Sequence, residues 1–164
     1  MTMSFHFVLM EIKMSDKHIV EVRGAWNINK SENYLRTNTF PIRLATLTKK
    51  GFPLVTSLWY LYDNGFIWCA VQEGSEVYFN IKNECRCGFE IGPNDSPYMG
   101  IRGQGNARLV PERGREKLTE LIRRYLDKEN DELANWLLGR SETETAIVIE
   151  PLWFFTWDYS DRMS

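Results

Sequence analysis

The sequence predicts a mainly β domain with flanking helices, in which the strands close into a small barrel. The first observation is a run of three strand-like segments joined by two turns, at residues 43–48, 53–62 and 66–71. Gly51 suits the last position of a three-residue hairpin loop, and Asn64-Gly65 is a strong two-residue hairpin signal. The second observation is a long alternating segment, residues 98–110, that contains three glycines. Such a strand is expected to bend, as the strands of a small closed barrel do.

Composition limits the domain count and the class of partner. A chain of 164 residues with 43% hydrophobic content can bury one core but is short for two, so we treat residues 1–164 as a single domain. The net charge is -2 and both signs are interspersed, which gives no electrostatic footprint for nucleic acid or an anionic membrane. No apolar run approaches the length of a membrane span.

The cysteines indicate the compartment. Three cysteines, two of them in Cys85-x-Cys87, do not make the disulfide framework of a small secreted domain. We therefore expect a soluble cytoplasmic protein that binds neither nucleic acid nor membrane.

The start of the chain carries the weakest pattern. Residues 1–27 show no clear hydrophobic period, and we expect a loosely attached N-terminal extension there. Residues 29–35 predict a short helix with Asn29 or Ser31 as its N-cap. This helix should end before Phe40-Pro41, because the residue before a proline avoids helical backbone angles.

A second short helix is predicted after the three strand-like segments. Ser75 can cap it, and Glu76 in the first turn complements the helix dipole. Val77, Tyr78 and Ile81 form its apolar stripe. Residues 85–91 then return as a strand, and the turn-forming residues 92–97 lead into the long strand.

The remaining third of the chain predicts a helical insert and a return to the sheet. The insert spans residues 113–138, and its first helix has an apolar stripe formed by Leu118, Leu121, Ile122, Tyr125 and Leu126. Asn130 should cap the second helix and Gly139 should end it, with Leu133, Trp136 and Leu137 facing inward. We also expect Trp68 and Trp136 to fill the core. Residues 145–158 read as two strand segments broken at Pro151.

Several common chemistries lack the residues they need. His6 and His18 both lie in the weakly patterned start, which disfavours a Ser/His/Asp triad or a histidine-ligated metal. Cys85 and Cys87 would need two more soft ligands to hold a metal, and Cys69 is the sole other thiol. We predict no metal site and assign no catalytic residue.

Six motifs in a fixed order resemble a known family. They are Leu44-Ala-Thr-Leu-x-x-x-Gly51-x-Pro53, Trp59, Asn64-Gly65, Gly74-Ser75 with Asn80-Ile81, Tyr98-x-Gly100-x-Arg102-Gly-x-Gly105-x-Ala107, and Ile149-x-Pro151 with Trp157-Asp158. In this order they resemble the pyridoxamine 5′-phosphate oxidase-like family of flavin-binding split barrels, over about residues 29–159. The helical insert places the chain nearer to an uncharacterised, oxidase-related branch.

The resemblance implies a fold, an assembly and a cofactor. It implies a six-stranded Greek-key split β-barrel that forms a homodimer. A flavin mononucleotide (FMN), or a deazaflavin cofactor, would lie in a groove between the two subunits and react with a small-molecule substrate. The implied cofactor-binding residues are Val55, Thr56 and Ser57 along the ring and ribityl chain, Cys69 and Ala70 beside the phosphate, Ser75 on the phosphate, and Arg102 and Trp157 from the other subunit around the ring.

One departure from the family bears on the phosphate. Glu76 and Val77 follow Ser75 where basic residues are typical of the family, and the strand positions of the phosphate-binding Arg and Lys fall on Thr56 and near Tyr60. Hydrogen bonds to charged groups contribute roughly 1.5 to 3 kcal/mol each, so losing two weakens a phosphate by two or more orders of magnitude. Another cation could replace them, the candidates being Arg43, Lys49, Lys50 and Arg102.

The leading hypothesis is a flavin-dependent oxidoreductase that transfers a hydride between flavin N5 and a small organic substrate. Strict pyridoxamine phosphate oxidase activity is not expected, because that substrate carries a second phosphate. The alternatives are a non-catalytic protein that binds a flavin or another planar ligand, a deazaflavin-dependent reductase, and a barrel that has lost its cofactor.

Overall fold

A computed structural model describes residues 17–163. Within this range the chain forms eight strands: β1 (Glu21–Gly24), β2 (Ile42–Leu47), β3 (Pro53–Leu58), β4 (Leu61–Asp63), β5 (Phe66–Gln72), β6 (Arg86–Ile91), β7 (Met99–Val110) and β8 (Glu144–Asp158). Four α-helices accompany them: α1 (Ile28–Thr37), α2 (Glu76–Asn83), α3 (Gly114–Tyr125) and α4 (Asp131–Gly139).

The eight strands form one curled sheet. Its order is β3-β2-β6-β7-β8-β5-β4, the pairs along this path are antiparallel, and β1 lies parallel to β8. Chain neighbours β3 and β4 therefore lie at opposite ends of the sheet. This arrangement confirms a mainly β split-barrel fold with flanking helices, but the predicted count of six strands is wrong.

The two additional strands are β1, which lies in the predicted N-terminal extension, and β4, which is separated from β3 at Trp59 and Tyr60. The segment 53–62 is not one strand, because the chain crosses here from one end of the sheet to the other. The Trp59 ring stacks on Tyr125, with centroids 5.2 Å apart, and the Tyr60 amide donates to the Tyr125 hydroxyl at 3.2 Å. The buried Tyr60 hydroxyl donates to the Leu35 carbonyl at 2.9 Å. These tertiary contacts hold a bend that the strand pattern did not indicate.

Both predicted hairpin turns are confirmed. Gly51 has a φ of +81°, in the β2–β3 loop. Asn64 and Gly65 have φ values of +50° and +88°, as a type I′ turn between β4 and β5 requires.

The long strand β7 has the expected irregularity. A Cβ on Gly103 would lie 2.4 Å from the Trp153 carbonyl oxygen and 2.6 Å from Phe89 Cζ, so only glycine fits there. The β7–β8 register shifts between Gln104 and Gly105, which pair with Trp153 and Pro151. Leu152 is left as the extra residue of a bulge.

The prediction that residues 145–158 form two strand segments broken at Pro151 is wrong, because the bulge accommodates the proline within one strand. Strand β8 is continuous from Glu144 to Asp158. Pro151 has no N–H to donate, and a bulge is a place where a sheet accepts proline.

The start of the described chain is paired to the barrel. Strand β1 pairs with β8 from Glu21 opposite Trp153 to Gly24 opposite Thr156, and the His18 amide donates to the Asn64 carbonyl at 2.9 Å. Of the extension that we expected at residues 1–27, residues 1–16 lie outside the described part, as does His6. Helix α1 ends at Thr37, before Phe40-Pro41 as predicted, but its N-cap is Asn27, whose side chain accepts from the Lys30 amide at 2.9 Å.

Both helices of the insert form where they were predicted, but the predicted orientation of α4 is wrong. The α3 stripe buries Leu118, Leu121 and Ile122 where the helix packs on β5 and β8. The predicted core residue Trp68 is buried in a second hydrophobic cluster, with the Lys117 ammonium 5.0 Å from its ring centroid. Helix α4 ends at Gly139 as predicted, but Asn130 makes no capping side-chain bond and no α4 side chain is buried. Trp136 is 55% exposed, so the inward orientation of Leu133 and Trp136 was wrong.

The main core lies inside the curl of the sheet. Fully buried side chains from five different strands meet there, including Ile42, Ile67, Ile91, Ile101 and Phe154. No helix in residues 17–163 is long and apolar enough to cross a membrane.

Candidate functional site

A cleft of about 300 Å³ lies where β3, β5 and the start of α2 approach the end of the helical insert. We call it the Ser75 cleft. Its apolar walls are Leu58, Ala70, Val71, Val77 and Leu137. Its polar lining is Thr56, Gln72, Ser75, Arg140 and Glu144. Strands β3 and β5 are not hydrogen-bonded to each other, so the cleft marks the split of the barrel.

The position of Ser75 follows from local sequence. Gly74 has a φ of +87°, which ends the turn after β5. Ser75 is then the N-cap of α2 as predicted, with its hydroxyl oxygen accepting from the Tyr78 amide at 3.3 Å. Val77 and Ile81 are buried and hold the helix against the barrel.

The predicted cofactor residues divide between two faces of the sheet. Thr56, Ala70 and Ser75 all line the Ser75 cleft. Val55 and Ser57 are exposed and alternate with Thr56 along β3, so they lie on the opposite face.

Cys69 is fully buried, and burial raises the pKa of its thiol. Its side chain belongs to the main core. It does not line the cleft, so Ala70 is the member of this pair that can face a ligand.

Arg102 and Trp157 come together in a second cleft, of about 210 Å³, that we call the Trp157 cleft. Glu90, Phe155 and Tyr159 complete its lining. The Arg102 guanidinium carbon lies 4.7 Å from the Phe155 ring centroid. The Ser75 and Trp157 clefts have no lining residue in common.

The cations proposed as replacements do not line the Ser75 cleft. Arg43 donates to the Glu90 carboxylate and the Gly92 carbonyl, both at 3.2 Å, and also to Asn94. Lys49 and Lys50 line a different groove, beside Phe52 and Phe79.

Arg140 is the functional candidate that sequence reasoning missed. It lines the Ser75 cleft, and its guanidinium carbon lies 4.4 Å from the Trp136 ring centroid. Within residues 17–163 this guanidinium makes no hydrogen bond or ion pair with the protein. An arginine directly after the helix-ending Gly139 was the available signal, but only tertiary packing brings it to the same cleft as Ser75.

Glu144 adds a negative group to the same cleft. It is buried, it accepts a hydrogen bond from the Gln72 side-chain amide, and burial raises the pKa of its carboxyl. The Thr143 hydroxyl donates to the Gln72 oxygen at 2.7 Å, which orients that amide. In the described part of the chain no three His, Cys, Asp or Glu side chains are placed to hold a metal.

Comparison with solved structures identifies the fold. A conserved hypothetical protein of Mycobacterium tuberculosis has a TM-score of 0.69 at 18% sequence identity, over 89% of this chain and 93% of that one. An F420 reductase has a TM-score of 0.62 at 21% identity, over 74% and 94%. A candidate pyridoxamine 5′-phosphate oxidase from Listeria innocua has a TM-score of 0.60 at 13% identity, over 80% and 97%.

The chain has the pyridoxamine 5′-phosphate oxidase-like split-barrel fold. Proteins with this fold differ in their ligands, since the heme storage protein HutZ of Vibrio cholerae also matches, with a TM-score of 0.55 at 12% identity over 77% and 91%. No family model matches the sequence, and no curated protein is significantly similar to it. At these identities the split-barrel likeness establishes the fold alone.

Proposed function

We propose that this chain is a flavin-dependent oxidoreductase that acts as a homodimer in the cytoplasm. The Ser75 cleft of one subunit and the Trp157 cleft of the other would enclose one cofactor. The observation that carries the proposal is that Thr56, Ala70 and Ser75, which the family resemblance had assigned to one cofactor, line one cleft at the split of the barrel.

The residues of the Ser75 cleft fit a planar ligand with one anionic end. Leu58, Val71 and Leu137 offer apolar surface for a ring. The Arg140 guanidinium and the Ser75 hydroxyl can donate hydrogen bonds to ligand oxygens, whereas the Gln72 amide already donates to Glu144 and to the Arg140 carbonyl. The Glu144 carboxylate repels a bound anion, and this repulsion weakens when the carboxyl is protonated.

The Trp157 cleft would contribute the opposite side of the site. The Trp157 side chain is half-buried and can cover a flat ring, while the exposed Arg102 supplies a positive charge. A bound flavin would supply the hydride chemistry, with N5 as the atom that accepts or gives the hydride. The protein would orient the ring, keep water from one of its faces and stabilise negative charge beside Arg102.

The preferred substrate is a small organic molecule without a phosphate. Arg140 is the one cation lining the Ser75 cleft among the described residues. A second phosphate would have only Arg102 of the Trp157 cleft as a cationic partner, and Glu90 lines that cleft too, so pyridoxamine phosphate oxidation is disfavoured.

A second candidate is a ligand-binding protein without catalysis. It is favoured by Glu144, whose carboxyl faces the cleft where an FMN phosphate would need positive charge. A deazaflavin or a heme would then be the planar ligand, as the F420 reductase and the heme storage protein that share this fold suggest.

Titration of the purified protein separates these candidates. FMN, a deazaflavin cofactor and heme are added in turn, and the affinity and the oligomeric mass are measured. The proposal expects FMN to bind at one molecule per subunit of a dimer, and the bound flavin to be bleached by a reductant and recovered by a small organic acceptor. Preferential binding of heme, or a monomer that takes up no flavin, would reject it.

A further inference from the structure

We propose that Arg140 is the phosphate-binding cation of the Ser75 cleft, supplied by the end of the helical insert and not by the residues after Ser75. This assignment rests on the proposed function, because it names the group that would hold the phosphate of the cofactor. It answers how a phosphate can be held when Glu76 and Val77 stand where basic residues were expected.

The placement of Arg140 suits this role. It lies immediately after α4, and its own carbonyl accepts from the Gln72 side-chain amide at 3.2 Å, which ties it to β5. Leu137, one helical turn earlier, lines the same cleft. The insert thus brings a cation to the Ser75 cleft from a position more than sixty residues after Ser75 in the sequence.

The Arg140 guanidinium makes no hydrogen bond or ion pair within residues 17–163, although its charge attracts the Glu144 carboxylate and works against the burial that raises the pKa of that carboxyl. Glu144 lines the same cleft, but no ion pair joins the two side chains in the described part of the chain, and the Glu144 carboxylate accepts from Gln72 instead. By contrast, Arg43 is already bonded to Glu90 and Arg124 to three carbonyl oxygens. The N–H groups of Arg140 are therefore available to an external anion, which would compete with the Glu144 carboxylate for the positive charge.

The contact with Trp136 prepares the guanidinium for phosphate. At 4.4 Å from the ring centroid, the indole holds the cation over its face. The N–H groups of a guanidinium lie in its own plane, so contact with an aromatic ring leaves them free to donate, and their fork matches two phosphate oxygens. This also gives Trp136 a reason to be exposed instead of packed in the core.

The test compares two flavins that differ in the phosphate. Dissociation constants for FMN and riboflavin are measured from the quenching of flavin fluorescence, for the wild type, Arg140→Gln and Arg123→Gln. Arg123 is the matched control, because it is exposed on α3 and lines neither cleft. Circular dichroism verifies that each variant is folded.

We expect Arg140→Gln to weaken FMN about 10- to 100-fold, as for the loss of a charged hydrogen bond, and to leave riboflavin within about twofold. Arg123→Gln should change neither affinity, and Arg140→Lys should recover part of the FMN affinity. An unchanged FMN affinity in Arg140→Gln, or equal weakening of both flavins, would overturn the assignment while leaving the proposed function intact.

A second probe separates the two proposals. If the wild type binds neither flavin, the proposed function fails, and inorganic phosphate is used instead. A rise in melting temperature with phosphate over chloride at equal ionic strength, absent in Arg140→Gln and kept in Arg123→Gln, would support Arg140 as an anion site. The same rise in both variants, or no rise in the wild type, would contradict it.

Discussion

The Trp157 indole lies directly against Gly100 of the neighbouring strand. A Cβ on Gly100 would be 2.7 Å from Trp157 Cζ2 and 2.6 Å from the Ile91 carbonyl oxygen. The glycine thus creates the space in which the ring lies, and it ties the position of Trp157 to the spacing of β6, β7 and β8.

Replacing that glycine should therefore move the ring. We expect Gly100→Ala to destabilise the fold by about 1 to 3 kcal/mol. The added methyl group would clash with the Ile91 carbonyl, which belongs to the backbone and cannot move aside as a flexible side chain can. Gly139→Ala is the control, since nothing lies within 4 Å of a Cβ there. Urea unfolding of both variants measures the difference, and equal stability of Gly100→Ala and the wild type would show that Trp157 is not fixed in this way.

Asp158, at the end of β8, links that strand to Trp26 and to helix α1. Its carboxylate accepts from the Trp26 indole at 2.9 Å and from Lys30 at 3.1 Å, and also from the Ser160 hydroxyl. These hydrogen bonds, with Ser160 first, hold the pKa of the carboxyl well below its usual range. We expect Asp158→Asn to lower the free energy of unfolding by about 1 kcal/mol at neutral pH.

The pH dependence of this effect has a definite sign. A depressed pKa in the folded state stabilises the fold above the ordinary pKa of 3.8, and this contribution is lost as the pH falls towards the folded value. The difference between wild type and Asp158→Asn should therefore shrink below about pH 4. A difference that stays constant from pH 6 to pH 3 would mean that the carboxylate charge does not matter.

Arg124 fixes helix α3 to the end of α1. Its guanidinium donates to the carbonyl oxygens of Leu35 at 3.0 Å and Arg36 at 2.6 Å, and also to that of Asn38. A cation at a helix C-terminus interacts favourably with the helix dipole as well. We expect Arg124→Ala to cost about 2 to 3 kcal/mol of stability and Arg123→Ala less than about 0.5, measured by thermal or urea unfolding.

Glu144 should limit the affinity of the Ser75 cleft for an anion. We expect Glu144→Gln to tighten FMN binding about three- to tenfold at pH 7, because it removes a negative charge from the cleft wall. Burial raises the pKa of this carboxyl, so wild-type affinity should rise as the pH falls and the group becomes neutral. Glu144→Gln should lack this rise, and a variant with the same pH profile as the wild type would assign it to another group.

The parts of the fold that sequence predicted are the local ones. Gly51, Asn64-Gly65 and the Ser75 cap each act through neighbouring backbone atoms, so a few residues suffice to indicate them. The strand break at Trp59 and Tyr60 depends on Tyr125 and Leu35, which lie far away in the sequence. A pattern of apolar residues cannot contain that information.

The same distinction between local sequence and tertiary packing applies to the candidate site. Thr56, Ala70 and Ser75 could be located because the order of the family motifs already relates them. Arg140 could not, because its approach to Ser75 depends on how the insert packs. The amphipathic pattern of α4 predicted a buried Trp136, whereas in the structure its ring contacts Arg140. An apolar side chain on a short helix therefore does not by itself indicate the core.

The most direct test of the shared site uses a mixed dimer. Thr56→Trp fills the Ser75 cleft and Arg102→Glu disrupts the Trp157 cleft, so neither homodimer should bind FMN. A dimer with one subunit of each kind, purified through two different tags, retains one intact pair of clefts. We predict that it binds one FMN; a mixed dimer that binds none, like the two homodimers, would contradict a site built from both subunits.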